Sequence, residues 1–189
     1  MKQVLNQPEK EILLKIAREA LEKAVRLEPL PNIVLENLPA DLREDGASFV
    51  TLTINDHLRG CIGTLEAYQP LAKDVQEHAV AAALQDFRFP NVQPNELPHI
   101  NIEVSVLTPK IPVDYSGPKE LLTKVRPDID GVVLQDGFRK ATFLPQVWEK
   151  IPDPEDFLSQ LCLKMGAPGD LWQKKQLQVF VYQVEEFRE

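Results

Sequence analysis

The strict alternation of apolar and polar residues across positions 100–106 constrains the fold more than any other feature. The apolar members are Ile100, Ile102, Val104 and Val106, and the polar members between them are Asn101, Glu103 and Ser105. A period of two predicts a β-strand with one buried and one polar face. Such a strand needs partners for its backbone, so a half-covered sheet is predicted.

Residues 47–65 predict a hairpin that belongs to such a sheet. The segments ASFVTLTI and LRGCIGTL flank a polar turn at Asn55-Asp56-His57. In the second strand, the period of two places Arg59, Cys61 and Gly63 on one face. Gly63 is then expected to leave an open patch beside the guanidinium and the thiol.

Further elements follow in an order that mixes hairpins with helices. The dipeptide Asp136-Gly137 between GVVLQ and FRKATFL predicts a second hairpin with two turn residues at positive φ. Apolar residues at three- and four-residue steps predict helices over 8–26, 70–84 and 154–165, and shorter helices are expected over 119–125 and from Pro145. The segment LQVFVYQVEEF predicts one last strand.

This order predicts an α+β fold with a mostly antiparallel sheet flanked by helices. The chain has 189 residues and 43% hydrophobic content, enough for one substantial core with a small lobe attached. No repeat or linker divides it, so residues 1–189 are expected to form a single domain.

Charge and cysteine content exclude several classes of function. The net charge of -8 disfavours nucleic-acid binding, because the chain would repel phosphate backbones. The two cysteines, Cys61 and Cys162, are expected to be free thiols in a reducing compartment. With neither a secretory signal nor a long apolar segment, the chain is expected to be cytoplasmic and not bound to a membrane.

Cys61 is the main candidate catalytic residue. A neighbouring cation lowers the pKa of a thiol and makes it a useful nucleophile, and Arg59 on the same strand face could supply that cation. The alternative is a small buried side chain in a strand where Gly60 and Gly63 allow close backbone approach. Cys162 lies on the apolar stripe of a helix and is expected to be structural.

Three further charged residues are candidates for a binding site. Glu103 could meet Arg59 across the sheet or could simply face solvent. Asp86 and Arg88 could reach into a cleft, but stabilisation of their own loop is favoured. The isolated histidines lack zinc-ligand spacing, and phosphate-binding and dinucleotide-binding glycine motifs are missing, so no metal or cofactor is predicted.

The chain resembles the AMMECR domain family over nearly all of residues 8–187. The motifs that carry the resemblance, in order, are LRGCIG (58–63), QDFRFP (85–90), ELP (96–98), IEVSVLTP (102–109), ATFLPQVW (141–148) and the helix FLSQLCLKMG. One departure is Asp130, because many members have a histidine before the following glycine. A scheme with a histidine base at this position is therefore in doubt.

The resemblance implies two unequal lobes, the larger holding both chain ends and the smaller formed by a central insertion, with LRGCIG near the groove between them. Prokaryotic members are often labelled AmmeMemoRadiSam system protein A, which implies Memo-like and radical S-adenosylmethionine proteins as partners. Two functions stay open. One is an enzyme or enzyme subunit using Cys61 and Arg59, and the other is a non-catalytic adaptor or ligand-binding module for a peptide or small molecule.

Overall fold

The computed structural model describes residues 5–189 and has the α+β fold predicted from the sequence. The α-helices are α1 (Gln7–Val25), α2 (Ala40–Arg43), α3 (Leu71–Leu84), α4 (Pro118–Lys124), α5 (Pro154–Lys164) and α6 (Leu171–Lys174). The strands are β1 (Asp45–Ile54), β2 (His57–Gly63), β3 (Gln69–Pro70), β4 (Ile100–Leu107), β5 (Ile111–Pro112), β6 (Gly131–Asp136), β7 (Arg139–Phe143), β8 (Gln178–Tyr182) and β9 (Val184–Arg188).

The chain forms two compact units, each with its own sheet and core. The first unit runs to Leu107 and regains Glu185–Glu189, and the second is Thr108–Val184. Whether both belong to one domain stays a prediction.

The first unit is built on a sheet with strand order β2-β1-β4-β9, and β3 pairs with the start of β1. Both β2 and β4 run antiparallel to β1. Alternate residues of β1 and β4, among them Val50, Leu52, Ile102 and Val104, are fully buried in a core that includes residues of α1 and α3. The helices therefore cover one face of the sheet, and the other alternate residues lie on the opposite face, called the outer face below.

The turn between β1 and β2 is shorter than predicted. Asn55 and Asp56 alone form it, with φ of 50° and 62°. Two successive residues with positive φ fit a type I′ turn, whose twist matches that of the flanking strands. His57 is already the first residue of β2.

The second unit has a four-stranded antiparallel sheet with order β5-β8-β6-β7. Its core contains the stacked rings of Trp148 and Phe157, with centroids 3.6 Å apart. Helix α5 begins as predicted, because the carboxylate of Asp153 accepts hydrogen bonds from the main-chain N–H groups of Glu155 and Asp156.

Two predictions about the second unit need correction. The β6–β7 turn consists of Gly137 and Phe138 rather than Asp136 and Gly137, and only Gly137 has a positive φ, of 61°. The segment predicted as one last strand forms two strands, β8 and β9, in different sheets. Neither glycine nor proline separates Tyr182 from Val184, so the sequence pattern did not reveal the break.

Candidate functional site

Cys61 lies on the outer face of the first unit's sheet. It is paired with Thr51, whose hydroxyl donates a hydrogen bond to Sγ over 3.3 Å. The thiol is partly exposed. The Thr51 hydroxyl is therefore in direct contact with the sulfur.

Strand β2 needs a glycine at position 60, because helix α3 leaves no room there for a side chain. It pairs with Leu52 on the helix-covered face, and a Cβ at this position would lie 2.1 Å from the main-chain oxygen of Ala82 in α3. Backbone atoms cannot move aside cheaply. Gly60 therefore sets the close packing of β2 against α3 and fixes the outward direction of Cys61.

Arg59 is not placed as the sequence predicted. The register between β1 and β2 shifts at this point, since Leu52 faces Gly60 while Thr53 faces Leu58, which leaves Arg59 as the extra residue of a bulge. A bulge interrupts the period of two. The expectation that Arg59 and Cys61 share a face by simple alternation was therefore wrong.

The guanidinium of Arg59 is held by Glu96. Nε and Nη2 donate to the two carboxylate oxygens over 2.7 and 3.1 Å, and this pairing lowers the pKa of Glu96 below its usual value. The remaining nitrogen, Nη1, is buried, and among the described side chains it is the one buried nitrogen or oxygen without a hydrogen-bond partner. Arg59 thus anchors the loop before β4 to β2.

Asp86 and Arg88 cap the free edge of β2 at Cys61. The N–H of Cys61 donates to Asp86 Oδ2 over 2.9 Å, and its carbonyl accepts from Arg88 Nη2 over 3.2 Å. The two side chains also pair with each other, through Nε–Oδ1 and Nη2–Oδ2 contacts of 2.9 and 2.7 Å. They replace the missing strand, which is the loop-stabilising role favoured from the sequence.

Charge reinforces this cap. The Arg88 guanidinium holds the pKa of the buried Asp86 carboxyl well below its usual range. The pKa of Arg88 is raised, chiefly by Asp86, with a further contribution from the nearby Cys61 thiolate. Arg88 is therefore close enough to Cys61 to interact with it electrostatically, whereas the guanidinium of Arg59 is paired with Glu96.

Glu103 completes a row of side chains across the outer face. Thr51 pairs with Cys61 on one side and with Glu103 on the other, so the three lie side by side on neighbouring strands. Burial, and then the Glu186 carboxylate, raise the pKa of Glu103. The predicted meeting of Glu103 with Arg59 is not found, because Glu96 takes that guanidinium.

Gly63 does not leave an open patch. It pairs with Phe49, and a Cβ at Gly63 would lie 2.3 Å from the ring of Phe49 and 2.4 Å from the carbonyl oxygen of Ser48. The aromatic ring fills the space above the glycine. The expectation of an open hollow at Gly63 was wrong.

A polar groove of about 530 Å³ lies further along the outer face. Its lining includes Thr53, Asp56, Asn101, Glu103 and Arg188. Thr53 and Asn101 form the cross-strand pair one step along from Thr51 and Glu103. The groove and the Cys61 row therefore share Glu103.

Comparison of the sequence with known proteins identifies its family. The sequence profile named AMMECR1 matches residues 14–187. The chain belongs to the AMMECR1 family. The family assignment confirms the resemblance seen in the LRGCIG and accompanying motifs.

Relatives of this AMMECR1-family chain are found among archaea. A protein of Methanothermobacter thermautotrophicus is 38% identical, with 98% of this chain and 96% of that protein covered. A protein of Thermofilum pendens is also 38% identical, covering 98% and 92%. The crystal structure of uncharacterized protein PH0010 from Pyrococcus horikoshii is similar with a TM-score of 0.82 and 31% identity, covering 98% of this chain and 93% of that one.

Asp130, the departure noted in the sequence, has a structural role here. It is buried, and its carboxylate binds Arg126 through Nε and Nη2 over 3.0 and 2.7 Å. Its carbonyl oxygen accepts from the indole N–H of Trp148 over 2.8 Å.

Cys162, the second cysteine, belongs to the second unit. Cys162 is fully buried in the second unit's core, and burial raises the pKa of its thiol. No three His, Cys, Asp or Glu side chains among residues 5–189 group in a way that could hold a metal ion. None of the helices in that same range is both long and apolar enough to cross a membrane.

The structure adds residues that sequence reasoning missed. Thr51, Glu96 and Arg188 were not singled out, although Glu96 stands in the recognised ELP motif. A buried network on the helix-covered side was also missed. In it, Asp74 Oδ2 accepts from the N–H and hydroxyl of Ser48 over 2.8 and 2.6 Å and lies 3.2 Å from His78 Nδ1. The sequence signal for this network was Ser48, a polar residue on an otherwise apolar strand face.

Proposed function

We propose that this AMMECR1-family protein is an enzyme, or an enzyme subunit, whose chemistry runs through Cys61 on the outer face. The observation that carries the proposal is the row Cys61–Thr51–Glu103. It combines a partly exposed sulfur, a hydroxyl donor to that sulfur and a carboxyl group with a raised pKa. A nucleophile beside a proton donor is the minimum set for covalent catalysis.

The spacing of the row suits a small substrate lying over Thr51. The outward N–H of Cys61 makes its pairing with Thr51 of the non-hydrogen-bonded kind, and that of Thr51 with Glu103 of the hydrogen-bonded kind. The Cα atoms of Cys61 and Glu103 are therefore about 10 Å apart. Both side chains can reach one molecule between them.

Each residue then has a defined part in the reaction. The Cys61 thiolate forms a bond to an electrophilic carbon, and the electron pair of the broken carbon–leaving-group bond departs with the leaving group. Glu103, whose raised pKa favours the protonated form, gives its proton to that group. Thr51 and Arg88 stabilise the thiolate, while Arg59, through Glu96, is a positioning residue.

Trapping of an adduct tests this proposal. The purified protein is incubated with the small-molecule fraction of a cell extract, quenched in acid and weighed by intact-mass spectrometry. We expect an adduct on Cys61 that forms more slowly in Glu103→Gln, which has no proton to give to the leaving group, and that is missing from Cys61→Ala. The proposal is contradicted if no adduct forms and Cys61→Ala fully replaces the wild-type gene in cells.

A second candidate is a non-catalytic adaptor or ligand-binding module. The observation that favours it is the structural use of LRGCIG, since Gly60 packs on Ala82 and the main chain of Cys61 is held by Asp86 and Arg88. Under this function Cys61→Ser keeps partner binding and function, and Gly60→Val loses both. A folded but inactive Cys61→Ser would exclude the adaptor.

Memo-like and radical S-adenosylmethionine proteins remain the proposed partners, on the strength of the family resemblance alone. Co-purification with tagged protein from the native cells tests them. We expect both to be retained by wild type and by Cys61→Ala, because removal of one small side chain leaves the surface intact. Retention of neither would remove them from the proposal.

A further inference from the structure

The polar groove on the outer face contains one cation without a partner. Arg188 forms no hydrogen bond or ion pair with any residue among 5–189, and only its charge is felt by Glu103. The alternation of β9 explains its position, because Phe187 packs against the core while the residue after it points to the opposite face. Arg188 therefore faces the groove with its donors unused.

Neutral donors stand opposite this cation. Thr53 and Asn101 are paired on β1 and β4, and both line the groove. A guanidinium with an amide and a hydroxyl matches the oxygens of a carboxylate, which accept two or more hydrogen bonds. The groove thus has the chemistry of a carboxylate site.

The negative groups nearby select against more highly charged anions. Asp56, Glu103 and Glu189 also line the groove, Glu189 being paired with Arg18, and the whole chain carries a net charge of -8. A phosphate with two charges would be repelled more strongly than a carboxylate with one.

We infer that this groove binds the carboxylate end of the substrate whose electrophilic carbon reacts at Cys61. The inference rests on the proposed function and adds a substrate class, a small carboxylic acid with its reactive carbon some distance from the acid group. Three strand spacings separate β2 from β9, a backbone distance of about 14 Å. The long Arg188 side chain covers part of this distance. In the substrate, the acid group and the reactive carbon are therefore separated by several bonds.

Binding is measured first, without any reaction. The full chain labelled with ¹⁵N is titrated with succinate, and with succinamide as the neutral match, while amide shifts are followed by NMR. We expect saturable shifts at Thr53, Asn101 and Arg188 with succinate only. Arg188→Gln should weaken the affinity for succinate at least roughly tenfold, because it removes one charge-assisted pair. Arg43→Gln, which removes an equal charge from α2, should leave binding unchanged.

Two alkylating acids of different length test whether a ligand held by Arg188 reaches Cys61. N-iodoacetyl-glycine and N-iodoacetyl-aminocaproate are compared with their amides as alkylating agents of Cys61. We expect the longer acid to react faster than its amide, and Arg188→Gln to remove this preference. A preference of the short acid alone would instead point to Arg88, which lies next to Cys61.

The outcomes separate the two proposals. The inference is overturned if succinate gives no saturable shifts, if Arg43→Gln weakens binding as much as Arg188→Gln, or if the longer acid shows no preference. If Cys61 fails to react even with the neutral amides, the proposed function fails. Succinate binding would then still identify the groove as a carboxylate site.

Discussion

The main-chain N–H of Cys61 donates a 2.9 Å hydrogen bond to the carboxylate of Asp86, which lies 25 residues further along the chain. The bond caps the free edge of β2 at Cys61, the residue of this strand whose thiol lies on the outer face. Strand edges with unpaired groups bind other chains, so a capped edge keeps this segment in one conformation. The orientation of Cys61 therefore depends on the loop that carries Asp86, and this residue binds the main chain of Cys61 rather than its sulfur.

Asp86→Asn is expected to destabilise the protein by roughly 1.5–3 kcal/mol at neutral pH, the value of hydrogen bonds to a charged group. Because the folded pKa of Asp86 is lowered, its stabilising contribution is present above the ordinary value of 3.8 and is lost as the pH falls towards the folded value. Urea unfolding of wild type and variant at several pH values measures this. The difference between them should shrink in acid, and a constant difference would contradict the role of the charge.

Gly60→Ala is expected to destabilise the protein by about 3 kcal/mol, the upper part of the range for overpacking, since the new methyl group would meet the Ala82 carbonyl. Gly117→Ala is the matched control. Gly117 has an extended φ of -176°, and a Cβ there meets nothing within 4 Å. Thermal unfolding should show a large loss for the first variant and little change for the second. Equal losses would mean that general strand or loop effects, and not the contact with α3, decide the result.

Arg88→Gln is expected to slow alkylation of Cys61 at neutral pH, because it removes a cation that interacts electrostatically with Cys61. Arg59→Gln should instead lower stability, since it leaves Glu96 without its ion pair, and should affect alkylation less. Iodoacetamide rates and urea unfolding of both variants separate these roles. A larger kinetic effect from Arg59→Gln would restore the sequence-based assignment of Arg59 as the cation that tunes Cys61.

Glu103→Gln is expected to increase stability at neutral pH. The folded pKa of Glu103 is raised, so its stabilising contribution is present below the ordinary value of 4.5 and is lost as the pH rises through the folded pKa. Glutamine cannot ionise and avoids that loss. Unfolding in urea at pH 4 and pH 7 should show a gain for the variant only at the higher pH. A ¹³C NMR titration of Glu103 with a midpoint at or below 4.5 would contradict the assignment of a raised pKa.

Local patterns in the sequence were sufficient for most secondary structure. Alternation predicted β4, the residues before the turn predicted β1, and Asp153 with the following proline predicted the start of α5. These features depend on neighbours within a few residues. The fold class follows from them, because helices interleaved with hairpins have few ways to pack.

The site was only partly predictable, because it depends on contacts between distant residues. The bulge at Arg59 appears only when β2 is aligned with β1, and the partner of Arg59 is Glu96, 37 residues away. Gly63 looked open because its cross-strand neighbour, Phe49, was unknown. The sequence left Cys61 open between a reactive thiol and a small buried side chain, and its contacts with Thr51 and Arg88 required the register and the loop.

The central claim is that Cys61 is an accessible and activated thiol, and competitive alkylation measures it most directly. Folded protein and an unstructured peptide of residues 55–67 are treated together with limiting iodoacetamide at neutral pH, and the modified cysteines are quantified by mass spectrometry. The account predicts that Cys61 in the folded chain reacts faster than the same cysteine in the peptide, while Cys162 stays unmodified until the protein unfolds. Reaction of Cys61 more slowly than the peptide, or only together with Cys162 on unfolding, would contradict it.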